Sequence, residues 1–317
     1  MSTSRVWLIT GTSSGFGLEM AKAALANGER VVATLRKPEV LSDFASKYTP
    51  AQLLVLRLDV SKPDEVKAAF AKAKATFGRV DVVFNNAGYA VAGELEGIPN
   101  EHARTMFDVN YWGAVHVSQE AVRFFREDNS PQGGRLIQNS AGVGLVTLPT
   151  LGFYASTKHA LEGFTETLHK ELNPAWNIKV KPTTLATMKE RQNDTNIWLA
   201  NPTQISSVLF GGFVTEFSTR SLQMLPQHPA YADDANAAAA FRKVFGAPTV
   251  ESRKKLGFGD PVKGIEKVYE LSKLENPPLR LLLGKDINHY FKEHIAQLTK
   301  EVDEYAAWSD NLGYENH

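Results

Sequence analysis

The sequence predicts a three-layer α/β/α protein built around a doubly wound parallel sheet. Short apolar runs alternate with longer helical patterns along most of the chain, and this alternation is typical of strands joined by crossover helices. The runs are apolar throughout, as expected for strands that helices cover on both faces. Because crossovers between parallel strands are right-handed, the doubly wound topology is the default arrangement.

Each predicted element follows from its own pattern of residues. Val6–Thr10 has the composition of a buried strand, and the helical spacing that follows stops at Gly28, a natural C-terminal cap. Further strands are predicted at 31–35, 53–58, 80–84, 135–139 and 279–283, and helices at 16–27, 62–77, 101–127, 153–173 and 261–274. The whole pattern predicts a single domain over residues 1–317, with a substrate lid at 213–258 and a helical tail at 286–317.

Residues 181–205 interrupt the predicted sixth strand. The segment is polar and has no clear period, and without it residues 177–180 would continue smoothly into 206–212. Irregular segments of this length are uncommon in compact domains. Two explanations stay open: a surface loop after which the strand is rebuilt from 205 to 209, or untranslated sequence wrongly retained in the predicted coding sequence, which the smooth join favours.

Composition and charge exclude several classes of function. Thirty-five Lys and Arg residues balance 35 Asp and Glu residues, which argues against a nucleic-acid or membrane-surface partner. The chain has no cysteine and no signal-peptide pattern, so we expect a cytoplasmic protein without disulfides. Apolar runs fall short of the roughly 18 residues of a membrane helix. No metal site is predicted, because partners at ligand spacing are missing for His102, His116, His159 and His169.

A glycine-rich turn connects the first predicted strand to the first helix. Its sequence from Thr10 is TGTSSGFG, with the glycine spacing GxxxGxG. Glycines permit a tight turn, and the N-terminus of a helix offers N–H groups to a pyrophosphate. The residues predicted to bind a dinucleotide here are Gly11, Ser13, Ser14, Gly15, Phe16 and Gly17.

The end of the second strand indicates which dinucleotide is bound. NAD enzymes carry an acidic residue there, which binds the 2′-hydroxyl of the adenosine ribose. Here Leu35 occupies the position, and Arg36 and Lys37 follow. Two cations without a carboxylate favour a 2′-phosphate and therefore predict NADP(H), the alternative being that both are solvated loop charges.

Further motifs lie where an open α/β sheet binds ligands, at the carboxyl ends of its strands. Asp59 and Val60 end the third strand, and the fourth ends in the sequence NNAG at 85–88. Tyr154 and Lys158 begin a predicted helix, and their four-residue spacing places them on one face. A nearby ammonium favours the phenolate, which is expected to lower the Tyr154 pKa and make the phenol a usable acid or base.

In their order and spacing these motifs resemble the short-chain dehydrogenase/reductase family in its classical form. The resemblance rests on TGTSSGFG, NNAG, Asn110 within DVNYWG, and Tyr154 with Lys158, and it covers nearly the whole chain. It implies a Rossmann-type fold with a C-terminal lid and tail. The sequences GDP at 259–261 and PPLRLLLG at 277–284 resemble a fungal and bacterial subgroup of uncharacterised oxidoreductases.

The resemblance implies a role for each matching residue. Tyr154 would exchange a proton with the substrate oxygen, and Lys158 would hold the nicotinamide ribose and lower the Tyr154 pKa. Asn110 would anchor a water that connects Lys158 to solvent. The remaining implied cofactor contacts are Asp59 and Val60 at the adenine, Asn86, Ala87 and Gly88 beside the adenosine ribose and the sheet, and Thr215 at the carboxamide.

Besides the insertion at 181–205, the chain departs from the family pattern at two further places. The family's catalytic serine stands 13 residues before the tyrosine, where this chain has Ala141. Ser140 lies one residue early, so along a strand it faces the other way, and it can substitute only if the strand has already ended. Losing such a donor costs about 10²–10³ in rate at other oxyanion sites. The family's Pro-Gly after the sixth strand is replaced by Phe210 and Gly211, and the bulky ring is expected to loosen the turn that fixes Thr215.

The sequence therefore predicts an NADP(H)-dependent oxidoreductase that interconverts a carbonyl and an alcohol on a small, largely apolar substrate. The alternative is an NADP(H)-binding protein with impaired or no catalysis, such as a redox sensor. Helices matching 101–127 and 153–173 form oligomer faces in relatives, so a homo-oligomer is implied unless the tail covers them. Candidates for an apolar substrate pocket, or equally for the core of the lid, are Phe213, Phe217, Met224, Leu225 and Tyr231.

Overall fold

The computed structural model describes residues 4–176, 205–214, 221–233, 235–245, 251, 257–310 and 312–313. In chain order its strands are β1 (Val6–Thr10), β2 (Arg30–Leu35), β3 (Leu53–Arg57), β4 (Val82–Asn85), β5 (Ala90–Ala92), β6 (Arg135–Ala141), β7 (Ile205–Phe210), β8 (Leu222–Met224) and β9 (Arg280–Leu283). Seven of them form one sheet in the order β3-β2-β1-β4-β6-β7-β9, and every neighbouring pair in it is parallel. The predicted doubly wound α/β fold is confirmed.

Helices cover both faces of this sheet. In chain order they are α1 (Gly15–Ala26), α2 (Ser42–Ala45), α3 (Pro63–Phe77), α4 (Asn100–Phe107), α5 (Ala114–Glu127), α6 (Gly152–Glu171), α7 (Ala237–Phe245), α8 (Pro261–Leu271) and α9 (Lys285–Tyr305). Helices α3, α5 and α6 pack on one face, and α1 and α8 on the other. The result is the three-layer arrangement that the sequence predicts.

The two core layers follow from the two-residue period of a strand. Along β1, Val6 and Leu8 join the layer under α3 and α5, whereas Trp7 and Ile9 join the layer under α1 and α8. All four side chains are fully buried. A strand that is apolar at every position is therefore used on both faces, which explains why the runs in the sequence do not alternate with polar residues.

Two local features differ from the prediction. The helix expected at 101–127 is interrupted by a π-helical segment, Asp108–Gly113, between α4 and α5. A second, two-stranded sheet pairs β5 with β8 in parallel, and the sequence does not predict it. Strands of three residues are too short to show a period, so their pairing depends on contacts made elsewhere in the chain.

The predicted insertion lies almost entirely outside the described residues. Its last residue, Ile205, begins β7, which is fully in register between β6 and β9. Both explanations of the insertion place residues 206–209 in this strand, so its register fits either of them. The predicted lid at 213–258 contains β8 and α7 within its described part, and the predicted tail begins in α9.

Candidate functional site

A cavity of about 950 Å³ lies at the carboxyl ends of the central strands, where the strand order reverses between β1 and β4. The predicted site residues that line it are Gly11, Ser13, Ser14, Gly15, Phe16, Arg36, Asp59, Val60, Asn86, Ala87, Gly88, Ser140, Tyr154 and Lys158. Gly17 and Asn110 are not part of the lining, and Thr215 lies outside the described residues. The fold thus brings together motifs that are separated by up to 147 residues of sequence, from Gly11 to Lys158.

The glycine turn requires its glycines for backbone geometry and for close packing. Gly11 and Gly15 have φ of +70° and +56°, in the left-handed region that side chains disfavour. A Cβ on Gly17 would lie 2.4 Å from the carbonyl oxygen of Gly11. Helix α1 starts after Ser14 with no acidic residue in its first turn and no side-chain cap from Ser14. A helix start of this kind suits an anion.

Asn86 fixes the turn to the strand beside it. Its Nδ2 donates to the carbonyl oxygen of Thr10 at 2.8 Å, and its backbone N–H donates to the hydroxyl of Thr10 at 2.9 Å. The same hydroxyl accepts from the N–H of Ala87 at 2.9 Å. The Oδ1 of Asn86 accepts from Nδ2 of Asn139 at 2.7 Å. Asn86 and Ala87 therefore hold the ends of β1, β4 and β6 in one arrangement.

Arg36 and Asp59 both line the cavity, and the part of the wall that they form is called its outer end. Arg36 is exposed, and Asp59 is half-buried after β3. Desolvation opposes ionisation of Asp59, but hydrogen bonds from the Ser61 N–H and hydroxyl, at 3.0 and 2.8 Å, hold its pKa below the ordinary value. Arg36 contributes to the same lowering. The outer end thus presents an exposed guanidinium and a fixed carboxylate.

Tyr154 and Lys158 lie one turn apart at the start of α6, as predicted. Lys158 is buried, its Nζ lies 5.8 Å from the centre of the Tyr154 ring, and it donates to the carbonyl oxygen of Asn139 at 2.8 Å. Desolvation lowers the pKa of Lys158 to about 8, against the opposing effect of Glu162. Desolvation also raises the pKa of Tyr154 well above its ordinary value.

The direction of the Tyr154 shift corrects an expectation from the sequence. Four-residue spacing to a lysine predicts a lowered phenol pKa, but the cavity wall removes water from the Tyr154 phenol and outweighs that attraction. Lys158 itself is desolvated, so its positive charge is less stable than at the surface. In the protein alone the phenol is therefore protonated at neutral pH.

Asn110 lies in the π-helical segment between α4 and α5, behind the cavity wall. Its Nδ2 donates to the carbonyl oxygen of Tyr89 at 2.7 Å and to the hydroxyl of Thr157 at 3.2 Å. Its Oδ1 accepts from the N–H of Tyr89 at 3.0 Å. The amide side chain thus connects the loop after β4 to helix α6. π-Helical turns occur mostly at functional sites, and here the turn places Asn110 next to the helix that carries Tyr154.

Ser140 does not occupy the position of the missing serine. Strand β6 continues through Ala141, with Ser140 opposite Leu209 and Ala141 opposite Phe210. The condition under which Ser140 could substitute, an earlier end of the strand, is therefore not met. The hydroxyl of Ser140 is buried without a hydrogen-bond partner among the described residues, and a Cβ on Gly144 would meet it at 3.0 Å. Ala141 packs in the apolar cluster that includes Tyr154.

Phe210 is packed at the end of β7, whereas Thr215, which the expected loosening of the turn would affect, lies outside the described residues. Its ring stacks on Phe16 with 3.8 Å between centroids, and Phe213 meets both rings edge-on. Phe210 is buried at the end of β7. The large side chain is tolerated because Phe16, inside the glycine turn, provides a matching aromatic surface.

The cavity has an apolar part, called here its inner end, that includes residues of the small sheet and of α7. The residues that line it there include Ala92, Val143, Leu148, Leu151, Leu222, Met224 and Phe241. Of the predicted pocket residues, Phe213 and Met224 are in the lining, whereas Leu225 packs in a neighbouring cluster with Ile98. Tyr231 is not in the lining, and Phe217 lies outside the described residues. An apolar inner wall suits a largely apolar ligand.

A buried ion pair, not foreseen from the sequence, fastens the lid. Arg242 of α7 donates to Glu94 from Nε at 2.6 Å and from a terminal nitrogen at 2.7 Å, and a further nitrogen donates to the carbonyl oxygen of Leu225 at 2.8 Å. The side chain of Glu94 is 2% exposed. The Arg242 hydrogen bonds lower the Glu94 pKa to about 2. The two residues are 148 positions apart, so no local pattern could have indicated them.

Fold and site together define an α/β protein in which a dinucleotide-type glycine turn and the pair Tyr154 and Lys158 open into one cavity. Within the described part of the chain, no cluster of three or more His, Asp or Glu residues could hold a metal ion. No described helix is long and apolar enough to span a membrane. The class is therefore that of dinucleotide-dependent α/β enzymes.

Comparison with known proteins identifies the family. Residues 5–197 match the model of the short chain dehydrogenase family. The chain is 33% identical over 311 residues to "Uncharacterized oxidoreductase C162.03" of Schizosaccharomyces pombe, covering 98% of this chain and 92% of that protein. It is 29% identical over 313 residues to "Uncharacterized oxidoreductase YusZ" of Bacillus subtilis, covering 97% of each.

A solved structure agrees with this match. The crystal structure of a short-chain dehydrogenase from Streptomyces avermitilis has a TM-score of 0.79 and 27% identity, covering 99% of this chain and 100% of that one. The chain belongs to the short-chain dehydrogenase family and is an oxidoreductase. The expected similarity to uncharacterised fungal and bacterial oxidoreductases is confirmed.

Proposed function

We propose that the protein is an NADP(H)-dependent oxidoreductase that interconverts a carbonyl and an alcohol on a small, largely apolar substrate. The observation that carries the proposal is that Tyr154 and Lys158 open into the same cavity as the glycine turn, with an apolar wall beyond them. An acid–base group, a cofactor turn and a substrate surface are then within one enclosed space. The cysteine-free sequence suits the reducing cytoplasm, where we place the protein.

The residues around the glycine turn fit a dinucleotide. A Cβ on Gly11 would lie 2.9 Å from the Cα of Ala87, so the turn can pack this closely on the end of β4 only because Gly11 has no side chain. When bound, the dinucleotide supplies or accepts the hydride. The residues that would hold it are Ser13, Ser14 and the start of α1 at the pyrophosphate, Asp59 and Val60 at the adenine, Asn86, Ala87 and Gly88 beside the adenosine ribose, and Thr215 at the carboxamide.

Arg36 is the basis for proposing NADP(H) over NAD(H). The strand before it ends in Leu35, so a carboxylate that would bind a ribose 2′-hydroxyl is missing from that position. The guanidinium of Arg36 is exposed at the cavity's outer end, where it would bind a 2′-phosphate through charge-assisted hydrogen bonds. Lys37, beside it, is exposed as well and adds to the positive potential.

Tyr154 would act as the general acid when a carbonyl is reduced. The raised phenol pKa keeps a proton on the hydroxyl at neutral pH, ready for transfer to the carbonyl oxygen. Lys158, one turn along α6, would stabilise the phenolate that remains and bind the nicotinamide ribose hydroxyls. Asn110 would anchor the water through which Lys158 exchanges protons with solvent. In alcohol oxidation, Tyr154 would accept the proton of the alcohol instead of donating one.

Impaired catalysis is the second candidate function, and Ala141 favours it. No hydroxyl stands at the position from which the family polarises the carbonyl, and the Ser140 hydroxyl is buried away from solvent. A protein of this kind would bind NADP(H) and turn over slowly or not at all. Both candidates share the cofactor site, so catalysis alone distinguishes them.

NADPH oxidation against a panel of ketones, aldehydes and quinones tests the proposal. We expect turnover with apolar carbonyl compounds, loss of at least about 10²-fold in kcat for Tyr154→Phe, and similar NADPH dissociation constants for the variant and the natural protein. Substantial activity of Tyr154→Phe would refute the proposed mechanism. NADPH binding without turnover of any panel compound would favour the second candidate, and equal affinity for NADH and NADPH would refute the cofactor assignment.

A further inference from the structure

The C-terminal helix α9 (Lys285–Tyr305) exposes a row of large apolar side chains. Only its first turns contact the domain, where Ile287 is buried and Phe291 is half-buried. From residue 295 to 310 every residue is exposed. The exposed apolar residues of this segment, with their exposed fractions, are Ile295 (47%), Leu298 (46%), Val302 (68%), Tyr305 (53%) and Trp308 (79%). An isolated helix of this length is marginally stable in water, so such a face is expected to be covered.

The apolar row has the spacing of a helix that pairs with another helix. Phe291, Ile295, Leu298, Val302 and Tyr305 follow one another at intervals of four, three, four and three residues. That is the seven-residue repeat with two apolar positions that forms a coiled-coil seam. Leu298 is the middle member of the row, with apolar residues three and seven positions before it and four and seven positions after it, so the row is nearly the same when read from either end. The row is therefore complementary to a copy of itself running in the opposite direction.

Charges along α9 favour the same antiparallel arrangement. Beyond Leu298, α9 carries one lysine, Lys300, and three acidic residues, which are Glu301, Asp303 and Glu304; Asp310 follows the helix. The first half carries Lys285 and Lys292 together with His289 and His294, against Asp286 and Glu293. Antiparallel pairing places the acidic half of each helix beside the more basic half of the other, whereas parallel pairing would place the acidic halves together. An anionic membrane surface would repel the acidic half.

We propose that α9 binds α9 of a second copy of the chain, antiparallel and with a two-fold axis at Leu298. Leu298 then packs against its counterpart, and Phe291 of one chain lies beside the partner's Tyr305. Such an interface is isologous, so it closes at two chains. This surface is distinct from the oligomer faces expected at 101–127 and 153–173.

The pairing also places the second chain at the cavity. Ile287 and Tyr290, in the first turns of α9, line the cavity near its mouth. In the antiparallel pair, a residue that precedes Leu298 faces the partner residue that lies equally far after Leu298. Ile287 and Tyr290 would therefore face the partner's residues around Trp308. The dimer would thus set the shape of the cavity mouth with side chains of both chains.

The cysteine-free chain makes the orientation directly testable. In the antiparallel pair, Leu298→Cys places two thiols across the two-fold axis, so mild oxidation is expected to give a covalent dimer. Tyr305→Cys places its two thiols about 21 Å apart along the helix axis, at 1.5 Å per residue, and is expected not to cross-link. Ala296→Cys, on the opposite side of α9, is the matched control and is also expected not to cross-link.

Sedimentation equilibrium of the full chain at micromolar concentration supplies an independent test. We expect the natural protein and Ala296→Asp to have the same assembly mass and Leu298→Asp to have half of it, whether or not the faces at 101–127 and 153–173 also pair, with unchanged NADPH binding showing that each variant is folded. Cross-linking of Tyr305→Cys would overturn the antiparallel orientation. A monomeric natural protein, an unchanged assembly mass for Leu298→Asp, or α9-dependent binding to phosphatidylcholine–phosphatidylserine vesicles in place of dimerisation would overturn the proposal. None of these measurements depends on catalysis.

Discussion

Lys158 donates a hydrogen bond of 2.8 Å to the carbonyl oxygen of Asn139, whose side chain in turn donates to Asn86 at 2.7 Å. The side-chain Nδ2 of Asn86 donates a hydrogen bond of 2.8 Å to the carbonyl oxygen of Thr10. The lysine of α6 is therefore connected to the glycine turn through the ends of three neighbouring strands. Because the acceptor is a backbone carbonyl, it neutralises no charge, and the ammonium depends on other groups for its electrostatic stabilisation.

Glu162 is the group expected to keep Lys158 charged. It lies one turn after Lys158 on α6, is buried, accepts from Ser207, and accepts from Arg280 at 2.8 Å. Its carboxylate raises the Lys158 pKa against the effect of burial. Glu162→Gln removes that charge, so the Lys158 pKa falls and the ammonium is lost at lower pH. We expect the alkaline limb of the kcat/KM profile for carbonyl reduction to move to lower pH.

Glu166→Gln is the matched control for this prediction. Glu166 also binds Arg280, at 2.6 Å, so both variants remove one of the two carboxylates that this arginine contacts. Glu166 does not contribute to the Lys158 shift, and its variant is expected to keep the natural alkaline limb. Equal profiles for both variants would show that Glu162 is structural and does not act through Lys158.

Ala141→Ser is expected to increase turnover. The methyl group of Ala141 packs in the cluster with Tyr154, at the position from which the family polarises the carbonyl, and one donor at such a site is worth about 10²–10³ in rate. We expect kcat to rise by about tenfold or more. The gain is expected to be smaller than the full factor because the surrounding residues are not arranged to orient the new hydroxyl. Ser140→Ala, which removes a hydroxyl without a described partner, is expected to change kcat by less than about twofold.

Steady-state kinetics on the best carbonyl substrate measures both variants. A large loss in Ser140→Ala would show that this hydroxyl moves into the cavity on cofactor binding and supplies the missing donor. An unchanged rate in Ala141→Ser, with intact NADPH binding, would show that polarisation of the carbonyl does not limit turnover.

Arg36→Ala tests the choice of cofactor. A charge-assisted hydrogen bond to a phosphate contributes about 1.5–3 kcal/mol, which corresponds to roughly 10- to 100-fold in affinity. We expect the dissociation constant of NADPH to rise by that factor and that of NADH to stay within about twofold, both by fluorescence titration. Lys47→Ala, an exposed lysine beyond the second strand, is the control for a general loss of positive charge. If the dissociation constants of NADH and NADPH rise by the same factor, Arg36 does not bind the 2′-phosphate.

Local spacing is the reason that much of the site could be predicted from the sequence. The glycine turn, the NNAG segment and the pair Tyr154 and Lys158 each depend on residues close in sequence, and the parallel sheet brings their ends together. The stacking of Phe210 on Phe16 and the pairing of β5 with β8 depend on distant contacts. The sign of the Tyr154 pKa shift also required the fold, because desolvation depends on what encloses the phenol.

The ion pair between Arg242 and Glu94 is expected to hold the lid closed. Arg242→Met leaves the carboxylate of Glu94 buried and unpaired, at a cost of about 3–5 kcal/mol for a broken buried pair. If α7 opens locally, that cost corresponds to hydrogen exchange of its amides at least about 100-fold faster at pH 7. Lys267→Met removes an exposed pair with Glu270 and is expected to leave exchange nearly unchanged.

The pH dependence of this effect has a defined sign. The natural pair holds the Glu94 pKa at about 2, below its ordinary value, so its stabilisation is present above the unfolded pKa and is lost as pH falls towards 2. In Arg242→Met the unpaired carboxyl takes up a proton at higher pH, which relieves its burial. The ratio of α7 exchange rates, variant over natural protein at the same pH, should therefore fall between pH 7 and pH 3. A constant ratio would show that Arg242 holds the lid through its bond to the Leu225 carbonyl oxygen and not through the charge of Glu94.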